Sequence, residues 1–246
     1  MRRSPYTTLS YSFGPGPITW AVKVIIWANI GAFLLTVVFP SVVLYLGLVP
    51  AAVLERLWLW QLVTYMFLHG GLFHILFNML AVWMFGVELE RLWGTRFFVK
   101  YYAITGLGAA ATTMLFSLMP FSFADRMYEA VTIGASGAVY GLLLAYALYY
   151  PDRPIYMYLL FPVPVKYFVM IVGAIAFLSS MGGGGGVAHA AHLGGLVVGY
   201  VYLKGSRTRP LAEIKYRYFK WKMNRLRKKF DVYPGGRPDD VNRRVH

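Results

Sequence analysis

The sequence predicts an all-α polytopic membrane protein, a bundle of six transmembrane helices with a membrane-embedded first loop. Three observations predict it. The chain is 58% hydrophobic and only 14% charged, where a soluble domain is nearer half apolar and a quarter charged. Its apolar residues gather in runs close to the ~20 residues that cross a bilayer core. Lys and Arg collect at alternate ends of those runs, as they do on the cytoplasmic side of membrane proteins.

Span 1 is placed at about 20–39, span 2 at 71–88 and span 3 at 97–119. Spans 4, 5 and 6 follow at about 131–150, 165–180 and 188–204. Pro40, Pro120, Pro151, Pro154, Pro162 and Pro164 fall between spans, where a missing N–H does least harm. The segment joining spans 1 and 2 contains "AAVLERLWLWQLVTYMFLH". It is rich in Trp, a residue of the lipid–water interface, and reads as a loop half sunk in the membrane rather than a seventh span.

Arg2 and Arg3 precede span 1; Arg91, Arg96 and Lys100 flank the span 2–3 turn; Arg153 and Lys166 flank the span 4–5 turn. The opposite side carries only Arg56 and Arg126. Both termini are therefore expected in the cytoplasm. The domains are a cytoplasmic segment 1–19, a six-span domain 20–204 and a basic cytoplasmic tail 205–246. "MRRSPYTTLSYSFGPGP" at the start has no apolar run, so no ordinary cleavable signal peptide is expected. A bacterial inner (cell) membrane is the expected location.

The net charge is +14. From Lys204 onward there are 14 Lys/Arg against 4 Asp/Glu, about +10 in the tail alone. "EIKYRYFKWKMNRLRKKF" interleaves bases with aromatics. Because it directly follows a span, anionic lipid is its expected partner and no specific nucleic acid is expected. The chain has no cysteine, which excludes disulfides, thiolate catalysis and Cys-ligated metal.

In spans this apolar, strongly polar residues are functional candidates, since a charge at mid-bilayer costs at least about 2.5 kcal/mol. His74 and Asn78 lie in the first two turns of span 2, Ser136 about five residues into span 4, and His192 about four residues into span 6. All three spans run inward from the outer face. At 1.5 Å per residue the four side chains share one level, roughly 5–10 Å below the outer interface.

Spacing agrees with depth. His74 and Asn78 are i and i+4, on one helix face, as are Ser136 and Tyr140. His192, Gly195 and Gly199 form a further face, and Gly195 and Gly199 make a GxxxG pair that admits a neighbouring backbone. If the neighbour is span 4, with Gly134, Gly137, Ala138 and Gly141, Ser136 and His192 could reach hydrogen-bond distance, as a nucleophile and its general base require. No Asp or Glu lies at that depth, so a dyad is expected rather than a triad. The His192 ring would be oriented by packing on Tyr140. His74, Asn78 and the Ser136 backbone N–H are left as donors to a developing oxyanion.

"GASG" heading span 4, "HILFN" in span 2 and "AHLGGLVVG" in span 6 together resemble the rhomboid intramembrane serine proteases. The resemblance runs through "WQLVTYMFLHGGLFHILFN" and "GVELERLWGTRFF" and covers about residues 55–200. It implies a six-span rhomboid-like bundle that hydrolyses peptide bonds in or near transmembrane segments of protein substrates, with no metal and no cofactor. It implies catalytic residues Ser136 and His192, an oxyanion hole of His74, Asn78 and Ser136, and supporting residues Tyr140, Gly134, Gly137, Gly195 and Gly199. It also implies that Glu90 pins the first loop. Two departures stand out. Trp60-Gln61 occupies the place where the family often has Trp-Arg, and Gly182–Gly186 replaces the cap over the site, which predicts a mobile lid.

Other readings compete with this one. Ser136 alone would be a packing residue. His74, His189 and His192 could hold zinc with one open position, though no carboxylate or Cys is near. His189 reads as a residue of the site wall or of the loop before span 6, and His69 as a first-loop group bonded to buried backbone. Glu90 could instead form a solvated pair with Arg91 and Arg96. A histidine proton path would suit a transporter, but the polar residues stop in the outer half. A catalytically inactive relative that binds transmembrane clients is the remaining alternative.

Overall fold

A computed structural model describes residues 14–120, 124–157, 161–181 and 186–208, with Lys220 and Arg225. The chain divides into two units, 1–203 and 204–246. The tail expectation falls almost wholly outside the described residues, as does the Gly182–Gly186 lid apart from Gly186.

α1 (Trp20–Val38) is apolar apart from Lys23, Asn29 and Thr36, and buries only a few residues, among them Val22, Ile25 and Asn29. Trp20, Trp27, Leu34, Val37 and Val38 lie on its exposed side. The first loop then folds into short helices: α2 (Val42–Leu46), α3 (Pro50–Glu55), with proline in its first turn, and α4 (Gln61–Thr64). Gln61, wholly buried, organises this loop. Its Oε1 accepts from the Val49 N–H (3.0 Å) and its Nε2 donates to the Tyr45 carbonyl (3.2 Å). Trp60 Nε1 donates to the same carbonyl at 2.9 Å, and Thr64 Oγ1 to the Leu46 carbonyl at 2.6 Å. The Trp60-Gln61 departure therefore sits at the polar centre of the loop, while Leu57 and Leu59 remain exposed.

Span 2 is one rod, Leu72–Trp93, made of α5 (Leu72–Ala81), a π-turn (Val82–Gly86) and α6 (Val87–Trp93). Gly86 closes the π-turn where Val22 of α1 and Phe98 pack; a Cβ there would meet them at 3.0 and 3.1 Å. α7 (Thr95–Ser117) is the centre of the bundle and buries Phe98, Tyr101, Tyr102, Thr105 and Ala109. Its Thr105 and Thr113 hydroxyls donate back to carbonyls of their own helix, which satisfies them without water. α8 (Ala124–Glu129) lies in the loop that follows.

Span 4 is shorter than expected. α9 runs only from Ser136 to Tyr149. Residues 131–135 are not helical because their backbone groups are paired elsewhere. Thr132 exchanges both hydrogen bonds with Leu48 (2.9 and 2.8 Å), and the Gly134 N–H donates to the Tyr65 carbonyl (2.9 Å). Ser136 is thus the first residue of its helix, not the sixth. Most of this non-helical segment is buried by protein, with Thr132 and Ala135 almost inaccessible.

The turn after α9 is not all loop. β1 (Pro154–Met157) and β2 (Phe161–Pro164) form an antiparallel ribbon with Pro154 opposite Pro164. Proline lacks a ladder donor and belongs on such edges. α10 (Val165–Met181) and α11 (Gly186–Thr208) complete the bundle. By length and composition α1 and the Leu72–Trp93 rod are each able to cross a membrane, and α9 and α10 are apolar but shorter.

Candidate active site

The α9–α11 contact sets the geometry. Gly195 lies flat on the backbone of Gly137: a Cβ at position 195 would fall 1.9 Å from the Gly137 carbonyl oxygen. Gly199 continues the contact one turn on, where a Cβ would meet Tyr101 Oη at 2.5 Å. Tyr101 in turn donates to the Gly141 carbonyl at 2.8 Å, tying α7 to α9. This close approach leaves His192 Nε2 2.8 Å from Ser136 Oγ.

The His192 ring lies flat on Tyr140, with centroids 4.2 Å apart and planes 6° from parallel. Its Nδ1 is buried and, among the described residues, has no hydrogen-bond partner. Among the described residues no carboxylate meets this imidazole, and its closest ring contact is the Tyr140 stack. With Nε2 accepting the Ser136 hydroxyl proton, Nδ1 carries the ring hydrogen.

His74 approaches from α5. Its Nδ1 accepts from the Gly70 N–H at 3.3 Å, which leaves Nε2 as the protonated nitrogen. That Nε2 points at the nucleophile's turn: a Cβ on Gly134 would lie 2.8 Å from it and 3.8 Å from Ser136 Oγ. Gly134 has φ +122°, so glycine is needed there for both its backbone and its bareness. Asn78 is buried one turn further along α5, where Nδ2 donates to the His74 carbonyl at 2.8 Å. One amide hydrogen remains on Asn78. The Ser136 N–H, at the first turn of α9, has no intrahelical acceptor.

The structure therefore brings Ser136, His192, Tyr140, His74 and Gly134 together, with Asn78 on the same face of α5 as His74. His189 stands edge-on to His192 at 5.8 Å. Among the described residues no three His, Asp or Glu side chains are grouped so as to hold a metal ion. The zinc reading of His74, His189 and His192 has no such cluster to rest on.

His69 gains a neighbour that its sequence pattern does not announce, and Glu90 behaves differently from expectation. His69 is buried against the backbone of Phe67, and its ring stands edge-on to His74 at 4.9 Å. Burial first, and then the neighbouring His74, push its pKa down to about 4. Glu90 pins α1 rather than the first loop. Its carboxylate accepts from the Ala21 and Val22 N–H groups (both 3.1 Å), from Thr19 Oγ1 and from Thr95 Oγ1 (2.7 Å). It is also no solvated partner of Arg91, whose guanidinium donates to the Pro15 and Pro17 carbonyls. The Glu90 role was not legible, because Thr19, Ala21 and Val22 lie about 70 residues away in sequence.

The family model described as the Rhomboid domain matches residues 56–207. The chain belongs to the rhomboid family. It is accordingly an integral, polytopic helical membrane protein. It is similar to Rhomboid protein 1, mitochondrial, of Saccharomyces cerevisiae, at 32% identity over 139 residues, 55% of this chain and 38% of that one. It is similar to Rhomboid protease AarA of Providencia stuartii, at 30% over 155 residues, 57% of this chain and 53% of that one. Rhomboid protease GluP of Bacillus subtilis (strain 168) matches at 29% over 141 residues, 57% of this chain and 25% of that one. This rhomboid chain thus spans well under two thirds of the relatives it matches. Relatives named as mitochondrial stand beside bacterial ones, so the comparisons do not support the expectation of a bacterial inner membrane.

Proposed function

We propose that this rhomboid is an active intramembrane serine endopeptidase with Ser136 as nucleophile and His192 as general base. In this reading α1, the Leu72–Trp93 rod, α7, α9, α10 and α11 are six spans, with both termini cytoplasmic. The observation that carries the proposal is the 2.8 Å contact of Ser136 Oγ with His192 Nε2, backed by the Tyr140 ring.

His192 Nε2 takes the hydroxyl proton as Ser136 Oγ attacks the scissile carbonyl of a substrate's transmembrane segment. The oxyanion that forms accepts from His74 Nε2–H, the Ser136 N–H and the remaining Asn78 amide hydrogen. On collapse the C–N bond breaks and His192 returns its proton to the leaving amine. Water, deprotonated by the same base, then hydrolyses the acyl ester.

The test is a polypeptide with one transmembrane segment, co-reconstituted in liposomes with the full chain. Cleavage by wild type and none by Ser136→Ala is the expected result. Equal cleavage by both refutes the assignment. Binding without cleavage by wild type places the chain with inactive, client-binding relatives.

A further inference from the structure

An open surface depression of about 470 Å³ lies at the other end of α9 from Ser136. It is lined by Gly14, Pro15, Glu88, Arg91, Leu92, Tyr150 and Arg153. We propose that it binds an anionic phosphate group, of the kind an anionic phospholipid headgroup or free inorganic phosphate presents.

The chemistry of the lining points there. Arg91 anchors the chain entering α1 by donating to the Pro15 and Pro17 carbonyls. Among the described residues it has no carboxylate partner. Arg153 Nη1 donates to Glu88 and, at 2.8 Å, to Tyr146 Oη, and its guanidinium stacks 4.9 Å over the Tyr150 ring. Each guanidinium presents five N–H groups, so both retain donors beyond these bonds. Glu88 is neutralised by Arg153, which leaves one uncompensated positive charge in the depression. A guanidinium fork matches the oxygens of a phosphate, and the lining supplies two.

The position points to a lipid as the natural source. The site sits where the Leu72–Trp93 rod and α9 end, and Leu92 at its rim is 48% exposed. Acyl chains could run along this apolar exterior while the phosphate enters the depression. A bound headgroup would join three segments that meet there: the strap before α1, the end of α6 and the end of α9. Nothing in this depends on peptidase activity.

The test uses the full chain in neutral detergent, with dioleoylphosphatidylglycerol binding followed by native mass spectrometry. Dioleoylglycerol, which lacks the phosphate, is the control. Losing a charge-assisted contact to the phosphate should weaken phosphatidylglycerol binding roughly tenfold or more in each of Arg91→Gln and Arg153→Gln, and further in the double variant. Binding of dioleoylglycerol should not change. Wild type and variants carry the same basic tail, so its contribution cancels. Glu88→Gln should tighten binding, because it removes the one negative charge and releases Arg153; a damaged fold would not do this. Displacement of the lipid by inorganic phosphate supports the site and extends its ligand to the free anion. Equal phosphatidylglycerol affinity in wild type and the double variant, or weaker binding by Glu88→Gln, overturns the proposal.

Discussion

Gly195→Ala tests the helix contact on which the dyad rests. The new Cβ would lie 1.9 Å from the Gly137 carbonyl oxygen, and real Cβ contacts essentially never fall under 3.0 Å. The atom it meets is backbone in the first turn of α9, so no side chain can swing away. α11 must therefore draw back by at least about 1.1 Å, the difference between those two distances. His192 lies one turn from Gly195 on the same helix and moves with it. Added to the 2.8 Å of the Ser136–His192 contact, that displacement lies outside hydrogen-bond range. A misplacement of this size costs roughly 100-fold in turnover, and overpacking costs about 1–3 kcal/mol of stability. The assay is cleavage of the reconstituted transmembrane substrate, with thermal unfolding measured alongside. Wild-type turnover at wild-type stability would refute the claim that Gly195 sets the distance between Ser136 and His192.

Three further outcomes follow from the same geometry. Tyr140→Phe keeps the ring under His192 and should retain turnover, whereas Tyr140→Ala should lower it about 2- to 10-fold through the lost stacking; equal rates in the two variants would remove Tyr140 as the orienting group. Glu90→Gln should lower unfolding stability by about 1–3 kcal/mol, since it weakens charge-assisted bonds to Ala21, Val22, Thr19 and Thr95; an unchanged unfolding midpoint would contradict the capping role. His69 is held neutral in the fold, with its pKa lowered from 6.5 to about 4 by burial and by His74. The unfolded chain then binds the extra proton, so this contribution is full above pH 6.5 and is lost as pH falls toward 4. Thermal unfolding across that window should be flatter in His69→Phe than in wild type, and parallel curves would refute it.

Local pattern made the site legible and left its supports hidden. The i, i+4 pair His74/Asn78 and the glycine spacing of 195 and 199 are local signals, and helices translate them directly into shared faces. The start of α9 was not legible. Residues 131–135 look helical by hydropathy, but Leu48 and Tyr65, more than 60 residues away, take their backbone bonds. The ribbon 154–157/161–164 hides in a proline-rich turn for the same reason, because only its pairing makes it a strand. Glu90 read as a loop pin or a solvated pair because nothing near it in sequence announces Thr19 and the start of α1. Gln61 looked like a departure from the family's pattern, and the structure places it at the polar centre of the first loop.

The most direct test of the central claim is to treat the detergent-purified chain with a fluorophosphonate probe and map the adduct by tandem mass spectrometry. The account predicts one phosphonylated residue, Ser136, and loss of labelling in both Ser136→Ala and His192→Ala. An adduct at another hydroxyl, or equal labelling of wild type and Ser136→Ala, would contradict it.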